Sequence, residues 1–89
     1  MTKTIWKFAL DPLNDVMSIN MPKGAEVLSA GVQSGIVHLW AVVDPEADKE
    51  PRAFLAVGTG HLTFDDLGRF VGTVMLFDGQ LVFHIFEQA

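Results

Sequence analysis

Apolar and polar residues alternate along most of the chain with a period of two, which is the pattern of half-buried β-strands. Residues 3–10 place Trp6, Phe8 and Leu10 on one side and both of their lysines on the other. Asp11-Pro12 follows this segment and is typical of a turn. No stretch keeps a helical period for three turns, so the sequence predicts an all-β protein.

The alternation recurs six more times, with turn-forming residues between successive segments. These further predicted strands cover residues 16–21, 26–33, 36–43, 52–57, 69–77 and 80–87. About six or seven short strands with turns at this spacing predict a small antiparallel barrel or sandwich built from hairpins. Residues 63–67 fit either one short helical turn capped by Thr63 or an irregular loop.

Ser34-Gly35 separates two predicted strands by two residues, which is a strong hairpin signal. Counting back from this turn places Leu28 and Leu39 on a wholly apolar face, which is predicted to be core. The other face pairs Val27 with Val42, Ser29 with Trp40 and Gly31 with His38. Large rings over small residues are expected to leave Trp40 and His38 standing above the sheet.

The same count from Asp78-Gly79 predicts that Val74, Phe83 and Ile85 are core residues. The reverse face, largely apolar as well, holds Met75 and Phe77 and pairs Val82 with Met75, His84 with Thr73 and Phe86 with Val71. A small monomer normally shows one polar sheet face to water. Either the chain covers these faces itself or a partner does, and we expect a homodimer. The predicted interface residues are His38, Trp40, Val42, His84 and Phe86.

The chain has 89 residues, no cysteine, and eleven acidic against six basic residues, for a formal net charge of -5. Without cysteine there is no disulfide framework and no thiolate chemistry. The acidic balance argues against direct binding to nucleic acid or to an anionic membrane. No apolar run approaches the roughly 18–20 residues that span a bilayer, and the first residues lack the apolar core of a signal peptide. We therefore expect a soluble, single-domain, cytoplasmic protein.

A glycine-rich turn, Gly58-Thr59-Gly60-His61, is a candidate small-ligand site. Its backbone N–H groups would hold a phosphate, with His61 as a ligand or proton carrier. Arg52 and Arg69 flank the segment that contains the turn and would supply positive charge. The alternative is a structural corner in which the glycines adopt positive φ. The turn matches neither the Walker pattern nor the dinucleotide fingerprint.

The remaining polar residues do not indicate catalysis. His38, His61 and His84 lack the spacing of a metal motif. Asp65 and Asp66 are adjacent, so their side chains point apart and a cooperating carboxylate pair is not expected. The serines lie outside the sequence context of a nucleophile elbow. The sequence therefore predicts a protein that is not an enzyme and that has no metal or cofactor.

Five segments carry a resemblance to a known family. They are Lys3–Phe8, Met21–Leu28, Leu39–Asp44, Val57–His61 and Leu81–Glu87. Through these segments the chain resembles a family of small uncharacterised proteins encoded by tailed bacteriophages and prophages. The resemblance implies a phage accessory protein, and such proteins often act on host or defence components. It implies no activity and no catalytic residues.

Three hypotheses follow. The first is a non-enzymatic binding protein that blocks a host factor, such as a defence protein, through the face of Trp40 and His38 or through the acidic loop at residues 44–50. The second is an oligomeric protein that sequesters a small anionic ligand, such as a nucleotide signal, near Gly58–His61. The third is a minor structural protein of the virion. No residue pattern separates inhibition of a protein from binding of a ligand.

Overall fold

The computed structural model describes residues 2–89, which form seven β-strands and no helix. The strands are β1 (Thr4–Ala9), β2 (Val16–Pro22), β3 (Glu26–Gln33), β4 (Ile36–Val43), β5 (Lys49–Gly58), β6 (Arg69–Leu76) and β7 (Leu81–Glu87). They form two antiparallel sheets that pack as a sandwich, and within this range the strands do not close into a barrel. The predicted all-β fold is confirmed, and residues 63–67 form an irregular loop. Residues 2–89 include no helix of the length and apolarity that would cross a membrane.

The two sheets differ in size. One has three strands in the order β1-β4-β3, and the other has four in the order β2-β5-β7-β6. β3 and β6 lie close together along one flank, where a Cβ on Gly72 would be 3.3 Å from the backbone nitrogen of Ala30. Because the sheets meet there, β1 and β2 are the edge strands of the opposite flank.

The inner faces of the sheets share one apolar core. The central strands supply fully buried side chains such as Leu39, Phe54 and Ile85. The other buried members of the core are Leu10, Met21, Ala25, Val27, Val37, Ala41, Val43, Ala56, Val71, Val74 and Phe83. The burial predicted for Leu39, Val74, Phe83 and Ile85 is therefore confirmed.

Both predicted hairpins have the expected register next to their turns. The pairs Gln33–Ile36, Gly31–His38 and Ser29–Trp40 form in the first, and Leu76–Leu81, Val74–Phe83 and Thr73–His84 form in the second. Ser34 and Gly35 have φ values of 52° and 75°, as a tight two-residue hairpin turn requires. The faces assigned from the turns are correct over these residues.

A β-bulge at Leu28 overturns the predicted register farther from the first turn. Val27 pairs with Ala41 instead of Val42, because the bulge adds one residue to β3 opposite β4. Val27 is thereby turned into the core, where it is 2% exposed, and Leu28 is 46% exposed. The prediction that Leu28 is a core residue is wrong, since one extra residue reverses the face that each side chain occupies.

A second irregularity, between Phe70 and Gly72, changes β6 in the same way. Phe86 pairs with Phe70 rather than with Val71, and the two rings meet edge to face with their centroids 5.5 Å apart. Val71 is buried in the core. The predicted pairing of Phe86 with Val71 is wrong for the same physical reason as the first.

The segment at residues 59–68 crosses the outer face of the four-stranded sheet, and we name it the crossover. β5 and β6 both pair antiparallel with β7, so they run parallel to each other. The chain must therefore return along the sheet before β6 begins, and the other sheet already covers the inner face. Leu55 lies between the core residues Phe54 and Ala56 and so points outward, yet it is only 2% exposed. Burial under the crossover explains this.

Candidate functional site

The five predicted interface residues do not form one surface. His38, Trp40 and Val42 alternate with the core residues of β4 and lie on the outer face of the three-stranded sheet. His84 and Phe86 lie on the outer face of the four-stranded sheet. Because the inner faces of the sheets pack together, the two groups lie on opposite sides of the sandwich.

His38 and Trp40 lie against the sheet. The Trp40 ring covers Gly31, where a Cβ would be 3.0 Å from Cζ3 of the ring. Lys7 on β1 donates a hydrogen bond from Nζ to Oε1 of Gln33 on β3 at 2.7 Å, so its side chain passes over the central strand β4. His38 is buried, and Trp40 is partly buried. The prediction that both rings stand above the sheet is wrong, because glycine leaves room for a ring to lie flat.

His84 is held between two threonines. Its Nε2 lies 2.7 Å from Oγ1 of Thr59, and its Nδ1 lies 2.9 Å from Oγ1 of Thr73. Both ring nitrogens therefore have hydrogen-bond partners, one in the crossover and one in β6. The hairpin register places Thr73 opposite His84, but no sequence signal indicates Thr59, which is 25 residues away. Among residues 2–89, no three His, Asp or Glu side chains are grouped as metal ligands would be.

Gly58–His61 forms a tight corner at the start of the crossover. The backbone N–H of His61 donates to the Gly58 carbonyl at 3.0 Å, and Gly60 has a φ of 83°. The His61 ring lies on Gly58, where a Cβ would be 2.7 Å from Nδ1 of the ring. A pocket of about 290 Å³ opens beside the ring and is lined by Asp15, Leu55, Ala56, Val57, Gly58, His61, Leu62, Thr63 and Phe64. The positive φ of Gly60 and the close packing of the His61 ring on Gly58 give a structural reason for both glycines.

Arg52 and Arg69 do not serve this corner. The Nε of Arg52 donates to Oε2 of Glu87 at 2.5 Å, and its Nη1 donates to the Ala25 carbonyl at 2.9 Å. The Nη2 of Arg69 donates to a β3 carbonyl at 2.7 Å. The corner lies at the other end of β5, about 20 Å from Arg52 along an extended strand. The predicted anion site, in which both arginines serve Gly58–His61, is wrong because the guanidinium groups join the two sheets instead.

A cleft opens at the end of the sandwich where the β1–β2, β3–β4 and β6–β7 turns meet, and we name it the turn-end cleft. Its volume is about 290 Å³. It is lined by Leu10, Asp11, Pro12, Leu13, Gly35, Ile36, Val37, Leu76, Phe77 and Leu81. Leu13, Ile36 and Phe77 are 75%, 52% and 71% exposed. The cleft therefore opens to solvent between large apolar side chains.

Phe77 has a backbone conformation that residues other than glycine rarely adopt. Its φ is 52°, and the φ values of Asp78 and Gly79 are 55° and 85°. A left-handed conformation is unfavourable for an aromatic residue by about 1–2 kcal/mol. The backbone N–H of Gln80 donates to the Phe77 carbonyl at 3.1 Å and closes the turn. The turn thus holds the Phe77 ring at the cleft in a backbone conformation that destabilises the folded chain. Residues in strained backbone conformations cluster at binding sites.

The turn-end cleft could not be predicted from the sequence. Alternation assigns strand residues to faces, but it does not say which turns meet at one end of a sandwich. One signal was present: Leu13, Ile36 and Phe77 are large apolar residues beside predicted turns, where polar residues are usual.

Comparison with known proteins shows which family the chain belongs to. No curated protein matches the chain. No solved structure matches it either. The family described as "Domain of unknown function (DUF7352)" matches residues 1–89, and the chain therefore belongs to that family.

Proposed function

We propose that this chain is a non-enzymatic protein-binding domain and that its partner binds in the turn-end cleft. The observation that carries the proposal is Phe77, an exposed ring held in left-handed backbone beside an apolar cleft. Exposed apolar patches typically mark interaction sites. Aromatic side chains contribute much of the binding energy at such sites, because each buries a large area and loses few rotamers.

The chemistry of the cleft favours an apolar segment flanked by basic residues. Asp11 lines the cleft, and Asp78 follows Phe77 in the turn. No Lys or Arg belongs to the lining in the part of the chain that the structure describes. A cation next to the inserted apolar residue would therefore meet carboxylates, on a protein whose net charge is already -5.

We further propose that the partner is a host factor, such as a defence protein, and that this chain inhibits it in the bacterial cytoplasm. The support is the resemblance of five segments to phage and prophage accessory proteins. An inhibitor of this kind acts by occupying its target, so an apolar cleft is sufficient and no catalytic group is required.

Affinity capture from a bacterial extract with three forms of the protein tests the proposed site. The forms are the wild type, Phe77→Asn and Met75→Thr. Met75 is a matched control, because it is 61% exposed on β6 and does not line the cleft. We expect one protein to be retained by the wild type and by Met75→Thr and to be lost from Phe77→Asn. Retention of the same proteins by all three forms would show that the cleft is not the binding site.

A second step tests the chemistry of the retained protein. Peptides that cover its sequence are titrated against the wild type by calorimetry. We expect binding by a peptide that has apolar residues next to Lys or Arg, and loss of that binding when the apolar residues are replaced by Ser. If only acidic or uniformly polar peptides bind, the proposed chemistry of the cleft is contradicted.

A further inference from the structure

The three-stranded sheet covers only part of β2: Met21, near the end of the strand, is fully buried. With β3 beside β6 at one flank, the four-stranded sheet extends one strand beyond β1 at the other. The inner side chains Met17 and Ile19 of β2 are only partly buried, and so are Trp6 and Phe8 of β1. The accessible surface of 5705 Å² exceeds the roughly 5,200 Å² expected for a folded monomer of this mass. The open flank is a vacant strand position beside β1.

The edge of β1 at this flank has backbone groups without a partner strand. The N–H of Leu10 donates to the Val37 carbonyl, and hydrogen-bonded pairs alternate along an antiparallel ladder. The even-numbered residues of β1 therefore bond to β4. The N–H and C=O groups of Ile5, Lys7 and Ala9 point away from the sheet.

The outer edge of β2 also has backbone groups without a partner strand. The N–H of Ala56 donates to the Asp15 carbonyl, so the odd-numbered residues of β2 bond to β5. The backbone groups of Val16, Ser18 and Asn20 therefore point outward. Over residues 2–89, β1 pairs with β4 alone and β2 pairs with β5 alone. An uncovered edge of this length is a template for pairing with another strand.

We propose that two copies of this chain form a closed dimer in which β2 of each copy fills the vacant position beside β1 of the other. A two-fold axis parallel to the strands at the open flank places both β2 strands in this way at once. A turn at Asp11–Asn14 joins β1 to β2, so the two strands run in opposite directions and pair antiparallel between copies. Each composite sheet then joins the three strands of one copy to the four of the other.

Length, charge and apolar contact favour a second copy as the occupant. β1 and β2 have six and seven residues, so the paired edges match. β1 contains Lys7 and β2 contains no charged residue, so the pairing brings no like charges together although each copy has a net charge of -5. Across the axis, Met17 and Ile19 of one copy would cover the same residues of the other. Apolar side chains that are now partly exposed would thereby be buried.

Pairing of β1 with β1 of a second copy does not fit the same geometry. Each β2 extends one strand beyond β1 on its own sheet. In a β1–β1 dimer, β2 of one copy would therefore occupy the place of β5 in the other. Because β2 extends beyond β1, β1–β2 pairing avoids this overlap and β1–β1 pairing does not.

Light scattering at tens of micromolar protein, on the wild type and on variants with a proline in an edge strand, tests the dimer. Lys7→Pro and Ser18→Pro each remove an outward N–H that donates to no group among residues 2–89, so the ladders to β4 and β5 remain. Val32→Pro is the matched control, because its N–H points away from β4 at the flank where β3 lies beside β6 and donates to no group in residues 2–89. We expect about 20 kDa, twice the chain mass of 9.8 kDa, for the wild type and Val32→Pro. We expect half that mass for Lys7→Pro and for Ser18→Pro.

Each other pattern of masses overturns the proposal. A wild-type mass of 9.8 kDa excludes the dimer, and a dimeric mass for both edge variants places the interface elsewhere. Dissociation by Lys7→Pro alone would indicate β1–β1 pairing. If the proline variants do not fold, amide hydrogen exchange of the wild type decides. We expect the amides of Lys7 and Ser18 to be protected and to lose protection on dilution, and fast exchange at high concentration contradicts the dimer.

Discussion

Arg52 on β5 and Glu87 on β7 are joined by a hydrogen bond of 2.5 Å between Nε and Oε2, and their side chains are 19% and 13% exposed. Arg52 also donates to the Ala25 carbonyl in the segment that leads into the other sheet. Arg69 donates to a β3 carbonyl, and its Nη2 lies 3.9 Å from Oε1 of Glu87. One carboxylate therefore positions two guanidinium groups that hold the sheets together, at the end of the sandwich away from the turn-end cleft.

Replacement of Glu87 by Ala is expected to lower the free energy of unfolding by about 2 kcal/mol. It leaves Arg52 without a counter-charge in a partly buried position, where an uncompensated charge is unfavourable. Urea unfolding followed by circular dichroism measures the change. Glu46→Ala removes an exposed carboxylate from the loop at residues 44–50 and is expected to change stability by less than about 0.5 kcal/mol. Equal stability of the two variants would show that Glu87 does not stabilise the sandwich by positioning Arg52 and Arg69.

The bulge in β3 predicts a reversed order of stability for two neighbouring substitutions. Val27→Ala removes core side-chain volume and is expected to cost about 1–2 kcal/mol. Leu28→Ala truncates a larger but outward-facing side chain and is expected to cost less than about 0.5 kcal/mol. Thermal unfolding of both variants gives the order. A larger loss for Leu28→Ala would restore the register that the Ser34-Gly35 turn alone predicts.

The close approach of His61 to Gly58 predicts that a methyl group at position 58 lowers the free energy of unfolding only when the His61 ring is present. Gly58→Ala is expected to destabilise the protein by about 1 kcal/mol, since overpacking forces the ring to move. His61→Ala in the same chain should remove most of that loss. A double-mutant cycle on unfolding free energies measures the coupling. Additive effects would show that the ring does not rest on the glycine.

Two-residue periodicity and two short turns were sufficient to predict the strands and the register beside each turn. The face reversal at Leu28 was not predictable, because a bulge adds one residue without changing the alternation that surrounds it. Similarly, Gly58–His61 has the composition of an anion-binding turn. The strand order is needed to show that Arg69, at the start of β6, lies at the same end as Arg52 and away from this turn.

What covers the apolar outer faces of the hairpins could not be predicted from the sequence. The sequence indicates that the outer faces of both hairpins are apolar, and it leaves open what lies on them. The parallel relation of β5 and β6 sends the crossover over one of these faces, and this relation depends on strand order. The turn-end cleft depends on strand order too, because it brings Leu13, Ile36 and Phe77 together from three turns.

Relief of backbone strain at Phe77 is expected to stabilise the protein. Asn tolerates a left-handed conformation better than Phe does, and the ring is 71% exposed, so little burial is lost. Phe77→Asn should therefore raise the free energy of unfolding by up to about 1 kcal/mol, which corresponds to a rise of about 4–8 °C in Tm. Differential scanning calorimetry measures it. A lower Tm would show that the Phe77 ring stabilises the folded chain by more than its left-handed backbone conformation destabilises it.

The most direct test of the binding function is a calorimetric titration of the captured partner into wild-type protein and into Phe77→Asn. We expect Kd to rise at least about 30-fold in Phe77→Asn, the loss of about 2 kcal/mol that is typical of a binding hot spot. Met75→Thr should keep the wild-type Kd. Equal Kd values for the wild type and Phe77→Asn would contradict the assignment of the turn-end cleft as the binding site.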